Sequence, residues 1–264
     1  MSQASADPLP SPPRIAVVTG ASSGIGAASA RALAGDGFHV VCVARRGDRI
    51  EALAGEIGGT AVVCDITDES SVEGLAEAVT AVGTDVSVLV NNAGGAFDAA
   101  TVEEADAATW GRMYDVNVLG SLRVFQALLP ALRAGTGGLV INMGSTAGRV
   151  AYEGGAGYVA AKHGVRVLTQ TLRLEHVAEP LRFTEVAPGM VRTEEFGLVR
   201  FAGDESKRDK VYAGVAEPLE AEDVAEVVRW VASLPPHVDI DEVVVRPRAQ
   251  AAQHKVHRTD PEGG

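Results

Sequence analysis

The chain has 264 residues, 46% of them hydrophobic and 22% charged, and carries a formal net charge of −12. That length and balance suit one large α/β domain, and the acidic excess excludes the basic patch or stripe that a nucleic-acid binder needs. No apolar run approaches the roughly 18 residues of a membrane span, so no contact with a membrane is expected.

Residues 1–13 hold Pro8, Pro10, Pro12 and Pro13 and lack the charged start and apolar stretch of a signal peptide, which points to a disordered, proline-stiffened leader. The domain is expected over 14–248. IAVVT (15–19) is a short β-branched run and reads as a buried strand. An alanine-rich helix follows over about 25–35, closed by Gly35 and Gly37. HVVCVA (39–44) is the second strand, and Asp48 is expected to cap a helix over about 49–57. TAVVC (60–64) is the third strand, Asp68 the cap of a helix over 69–82, and VSVLV (86–90) the fourth strand. One long helix is expected over 106–134, a fifth strand at 138–143, a helix over 156–178 and a sixth strand at 182–187. After an irregular insert at about 193–215, a helix over 220–232 and a seventh strand at 241–247 complete the domain. Residues 249–264 read as a polar tail. Strand–helix alternation with continuous apolar strands implies right-handed crossovers and a sheet buried on both faces. The expected fold is α/β: a single-domain Rossmann fold with a seven-stranded, mostly parallel sheet. Cys42 and Cys64 fall in apolar runs and read as buried thiols, neither a disulfide nor a metal site, which fits a cytoplasmic location.

TGASSGIG (19–26) leaves the first strand and enters a helix. Gly20 permits the tight turn, and Gly24 and Gly26 allow close approach of a cofactor and of the helix to the sheet. With Ser22, Ser23 and Ile25 they form a phosphate-binding turn whose N–H groups face a diphosphate. An acidic residue at the end of strand two would hold ribose hydroxyls. Here the strand ends in Ala44, followed by Arg45 and Arg46. A guanidinium binds a 2′-phosphate that a carboxylate would repel, so the expected cofactor is NADP(H). Asp65 is expected to accept from the adenine amino group, and Ile66 to line its pocket.

Tyr158 and Lys162 stand at i and i+4 and share a helix face. A free tyrosine is a poor base at neutral pH, and a neighbouring ammonium is expected to lower its pKa. Tyr158 then serves as acid in reduction and as base in oxidation. Ser145, after strand five, would hold the same substrate oxygen.

TGASSGIG, NNAG (91–94), Asn117, Ser145, YVAAK (158–162) and PGMVRT (188–193), in this order, resemble the short-chain dehydrogenase/reductase family over about 14–247. The resemblance implies an oxidoreductase acting on CH–OH groups, with Asn117, Ser145, Tyr158 and Lys162 as the catalytic set. Lys162 would bond the nicotinamide ribose, and Asn117 would distort its helix and support a proton relay to Lys162. Asn92, Ala93 and Gly94 would wall the adenosine ribose. Main chain around Pro188, Gly189, Val191 and Thr193 would meet the carboxamide. The loop at 193–214 and the ending PPHVDIDEVVVRPRAQ (235–250) resemble the NADP-dependent 3-hydroxy acid dehydrogenase branch, which acts on serine or allo-threonine. A small hydroxy acid needs a cation for its carboxylate, and Arg149, Arg192 and Arg200 are the candidates. A broader carbonyl or ketone reductase is the alternative. Family members are commonly homotetramers, so that assembly is expected.

Overall fold

The computed structural model describes residues 14–135 and 137–259, so the expected leader lies outside the described residues. Seven strands form one sheet: β1 (Ile15–Thr19), β2 (His39–Ala44), β3 (Thr60–Val63), β4 (Val86–Asn91), β5 (Gly138–Met143), β6 (Leu181–Pro188) and β7 (Glu242–Val245). Their order is β3-β2-β1-β4-β5-β6-β7, and every neighbouring pair is parallel. The helices are α1 (Gly24–Gly35), α2 (Gly47–Ile57), α3 (Glu69–Val82), α4 (Ala107–Tyr114), α5 (Gly120–Ala134), α6 (Ala156–Glu175), α7 (Phe196–Arg200), α8 (Glu205–Tyr212) and α9 (Ala221–Ser233).

Side chains alternate across each strand, so β1 feeds two cores. Ala16 and Val18 pack with Leu33 of α1 and Val224, Val228 and Val231 of α9. Ile15 and Val17 pack with Leu75 and Val79 of α3, Phe125 and Leu128 of α5 and Leu172 of α6. Burial on both faces explains why the central strands read as unbroken apolar runs. Cys42 and Cys64 are both buried and free, and burial pushes the Cys42 thiol up to about 11.

Three expectations are corrected. Helix α2 begins at Gly47, with Arg46 as its N-cap, so Asp48 lies in the first turn instead of capping it. The helix expected over 106–134 is interrupted by a π-helical turn at Asp115–Leu119. The insert at 193–215 contains α7 and α8. Asp68 does cap α3, accepting from the Ser71 N–H.

The order reverses between β1 and β4. At such a switch point the loops leave the sheet in opposite directions, and a crevice opens beyond the strands' carboxyl ends. The chain's functional side chains converge there. Among the described residues, no helix is long and apolar enough to cross a membrane.

Candidate active site

A cleft of about 870 Å³ opens at this switch point. Ser145, Tyr158 and Lys162 line it, as do the residues named for the dinucleotide, except Gly26. Gly26 is buried beneath the turn, where a side chain would run into the Gly20 carbonyl and Asn92. Its place is helix-to-sheet packing. Asn117 also lies behind the cleft wall.

The first turn of α1 forms one end of the cleft. Gly20 has φ +67° and Gly24 has φ +52°, conformations that side chains disfavour. A Cβ on Gly20 would lie 2.8 Å from Asn92 Nδ2. Asn92 stitches the turn to β4: its Nδ2 donates to the Thr19 carbonyl at 3.0 Å, and its N–H donates to the Thr19 hydroxyl at 3.0 Å. The Ser23 side chain makes no capping bond to α1, which leaves first-turn N–H groups for an anion. Arg45 is exposed, and its closest acidic neighbour is Asp65 at 4.0 Å. These features fit a dinucleotide diphosphate with an adjacent phosphate. Asp65 is held below its ordinary pKa mainly by the Thr67 N–H, which donates to its carboxylate at 3.0 Å. Ile66 is buried against Gly120.

The chemistry-bearing side chains meet at the other end. Tyr158 and Lys162 project from α6, and Lys162 Nζ lies 5.7 Å from the Tyr158 ring centre. The sequence reading expects the ammonium to pull the tyrosine down. Here burial dominates instead and pushes the Tyr158 hydroxyl well above its ordinary value, while Ser145 and the Arg200 charge oppose it. Lys162 is buried too and donates to the Met143 carbonyl at 2.8 Å. Its burial lowers its pKa to about 8, against the opposing charge of Glu185. The Ser145 hydroxyl accepts from the Ala147 N–H at 3.1 Å, which fixes its position after β5.

Asn117 explains the π-helical turn. Its Nδ2 donates to the Met113 carbonyl at 2.8 Å, taking the acceptor that an α-helix would offer to its own N–H. The same Nδ2 donates to the Gly95 carbonyl at 2.9 Å, and Oδ1 accepts from the Gly95 N–H at 3.3 Å. The helix thus opens to bind the loop after β4. Gly94 lies over both side chains: a Cβ there would be 3.6 Å from Lys162 Nζ and would clash with Asn117.

The three candidate arginines separate. Arg149 is bound to buried Glu185 at 2.9 Å and to Glu242 at 2.8 Å, and Arg192 faces Glu220 at 3.8 Å away from the cleft. Arg200 lines the cleft, 5.4 Å from the Tyr152 ring centre, and donates to the Gly154 carbonyl at 3.1 Å. Phe196 stands edge-on to Tyr158, ring centres 5.6 Å apart. Sequence reasoning missed Phe196, Tyr152, Arg112 and Arg258, all of which line the cleft. Phe196 sits in the 193–214 loop whose sequence resembles the 3-hydroxy acid dehydrogenase branch, whereas Arg258 sits in a segment read as a polar tail.

That segment folds back. Gln250 is buried and accepts from the Met190 N–H at 2.9 Å, Gln253 accepts from the Thr146 hydroxyl at 2.9 Å, and the Thr259 N–H donates to the Gly214 carbonyl at 2.8 Å. Main chain after β6 is held from both sides, with the Tyr212 hydroxyl donating to the Val191 carbonyl at 2.7 Å and the Gly189 N–H to the Val245 carbonyl at 2.7 Å.

The arrangement joins a dinucleotide-shaped groove to a buried hydroxyl–ammonium pair, as hydride transfer with coupled proton movement requires. The short chain dehydrogenase family profile matches residues 14–200. An uncharacterized oxidoreductase of Mycobacterium tuberculosis is 56% identical over 90% of this chain and 93% of its own. The NADP-dependent 3-hydroxy acid dehydrogenase YdfG of Salmonella typhi is 37% identical over 93% of this chain and 100% of its own. The closed form of a serine dehydrogenase complexed with NADP+ superposes with a TM-score of 0.87 at 35% identity, covering 93% of this chain and 100% of that one. The chain belongs to the short chain dehydrogenase family and is an oxidoreductase.

Proposed function

We propose that the protein is an NADP(H)-dependent oxidoreductase that interconverts a small 3-hydroxy acid, serine- or allo-threonine-like, with its 3-oxo acid. The carrying observation is Arg200, a cleft-lining guanidinium whose charge acts on the Tyr158 hydroxyl. An anionic group on the substrate would meet Arg200 while its carbonyl oxygen meets Tyr158 and Ser145. The Salmonella relative's description as an NADP-dependent 3-hydroxy acid dehydrogenase supports the same reading.

NADP(H) supplies or accepts the hydride when bound. The α1 turn would hold its diphosphate, and Arg45 and Arg46 its 2′-phosphate. Asn92, Ala93 and Gly94 would wall the ribose, and the backbone at Pro188–Thr193 would meet the carboxamide. Tyr158 gives its proton to the substrate oxygen in reduction, and its raised pKa keeps it protonated for that task at neutral pH. Ser145 donates to the same oxygen as charge develops. Lys162 sits behind Tyr158 and stabilises the phenolate left after transfer, and Asn117 holds the Gly95 loop against it.

The reading extends to assembly as a homotetramer of the cytoplasm. Its support is the apolar surface of α6 and its end, where Val167, Leu174 and Val177 are exposed. Light scattering checks this, and a monomer overturns it.

The test compares kcat/KM for a small 3-oxo acid, its sulfonate analogue and an uncharged ketone of equal size, each with NADPH. The acids are expected to lead by ~10- to 100-fold, as loss of a charge-assisted bond implies. Equal rates overturn the acid assignment and favour the broader ketone reductase, for which the aromatic wall of Tyr152 and Phe196 is suited.

A further inference from the structure

A buried acid interrupts one face of β6. Side chains alternate along the strand, so Glu185 shares the face of Phe183, which packs in the core with Leu172 of α6. Glu185 is 2% exposed. Its carboxylate takes both ends of a guanidinium: Oε1 accepts from Arg149 Nη1 at 3.0 Å, and Oε2 accepts from Arg149 Nη2 at 2.9 Å. A fork of this kind fixes the orientation of both partners as well as their distance. Arg149 Nη2 also donates to Glu242 at 2.8 Å, which ties the pair to β7.

The pair brackets Ser145. The Ser145 carbonyl accepts from Arg149 Nη1 at 3.3 Å and from the Gly148 N–H at 2.9 Å. The residue before it is Gly144, where a Cβ would run into the Glu185 carboxylate. Only glycine lets that carboxylate lie against the main chain there. A single 3-10 turn at Thr146–Gly148 joins Ser145 to Arg149. This turn is seated on α6, since a Cβ on Gly148 would lie 2.7 Å from the Lys162 carbonyl. Ser145 lines the cleft, whereas Arg149 and Glu185 do not.

Stability is a weak reason for such a pair. Taking two charges out of water costs about as much as their attraction returns, and apolar side chains of like volume often serve a fold as well. A rigid fork set against a catalytic turn has another use. We propose that Arg149 and Glu185 are positioning residues for Ser145, fixing its turn so that the hydroxyl donates to the substrate oxygen as charge develops there. This rests on the role given to Ser145 above. It also gives Arg149 a task other than binding a substrate carboxylate: the pair acts through Ser145 and touches no substrate.

Steady-state kinetics with NADPH and the fastest substrate of the panel above, run beside thermal unfolding, test this. Ser145→Ala is expected to lower kcat ~100-fold, as loss of a donor to the developing charge implies. Arg149→Met is expected to lower kcat ~10-fold and to leave KM within about twofold, because the donor is displaced and substrate binding is not. Arg149→Met/Glu185→Leu removes both charges together. It is expected to melt within a few degrees of the unaltered protein while keeping the kcat loss, which separates position from stability. Added to Ser145→Ala, either change should cost no more than about a further twofold, because the hydroxyl that the pair positions is gone. A further ~10-fold loss in the Ser145→Ala background, or the unaltered kcat in Arg149→Met/Glu185→Leu, overturns the positioning pair alone. A Ser145→Ala protein as fast as the unaltered one overturns the role of Ser145 and the pair's with it.

Discussion

Lys162 shows how the site trades stability for chemistry at the scale of one residue. An ammonium buried behind Tyr158 is poorly solvated, and its pKa falls to about 8. Between about 8 and its ordinary value the unfolded chain carries this proton and the folded one does not, so stability rises with pH across that window. Below the window the full penalty is present, at most ~3 kcal/mol. Lys162→Met is therefore expected to raise the melting temperature at pH 7 by a few degrees, net of the lost bond to Met143, while removing activity. A differential scanning experiment at pH 7 and pH 10 checks it, and the gain should shrink at the higher pH. The same residue sets the rate profile. Reduction is expected to slow as pH rises past about 8, where Lys162 loses the charge that stabilises the phenolate. Arg200→Met should raise KM for a 3-oxo acid by ~10- to 100-fold and leave an uncharged ketone within about twofold in steady-state kinetics. The Tyr158–Lys162 spacing was legible because i,i+4 is a local relation. The direction of the Tyr158 shift was not, because burial comes from elements far apart in sequence.

At the scale of elements, β1, β2 and β5 have the bounds their apolar runs announce, since a strand buried on both faces needs every residue apolar. The stretch 107–134 is different. Its helical periodicity is unbroken on both sides of Asn117, and nothing local says that the Asn117 amide takes the Met113 carbonyl. The deciding partner is the Gly95 backbone, 22 residues away. Asn117→Ala is expected to leave two buried carbonyls short of a donor and to cost about 2 kcal/mol, measured as a lower urea midpoint with unchanged slope. Helices α7 and α8 were hidden for a similar reason. They are short, and α8 buries none of its residues, so no apolar stripe marks it.

At the scale of the whole molecule, three distant segments meet over one crevice: the turn after β5, the insert after β6 and the chain beyond β7. Their contacts link Thr146 to Gln253, Met190 to Gln250 and Gly214 to Thr259. No period or motif carries such contacts, which is why residues 249–259 looked like a tail. Removal of 249–264 is expected to speed hydrogen exchange over 189–215 and to raise KM, with the sheet's exchange unaltered. The glycine turn and the arginines after β2 were legible at this scale, since strand, turn and helix follow one another in sequence. The cofactor end of the fold also bears the account's central claim. With purified protein and one small 3-hydroxy acid, kcat/KM for NADP+ should exceed that for NAD+ by ~100-fold or more, as one well-placed guanidinium–phosphate contact implies. Equal or faster oxidation with NAD+ would contradict the account.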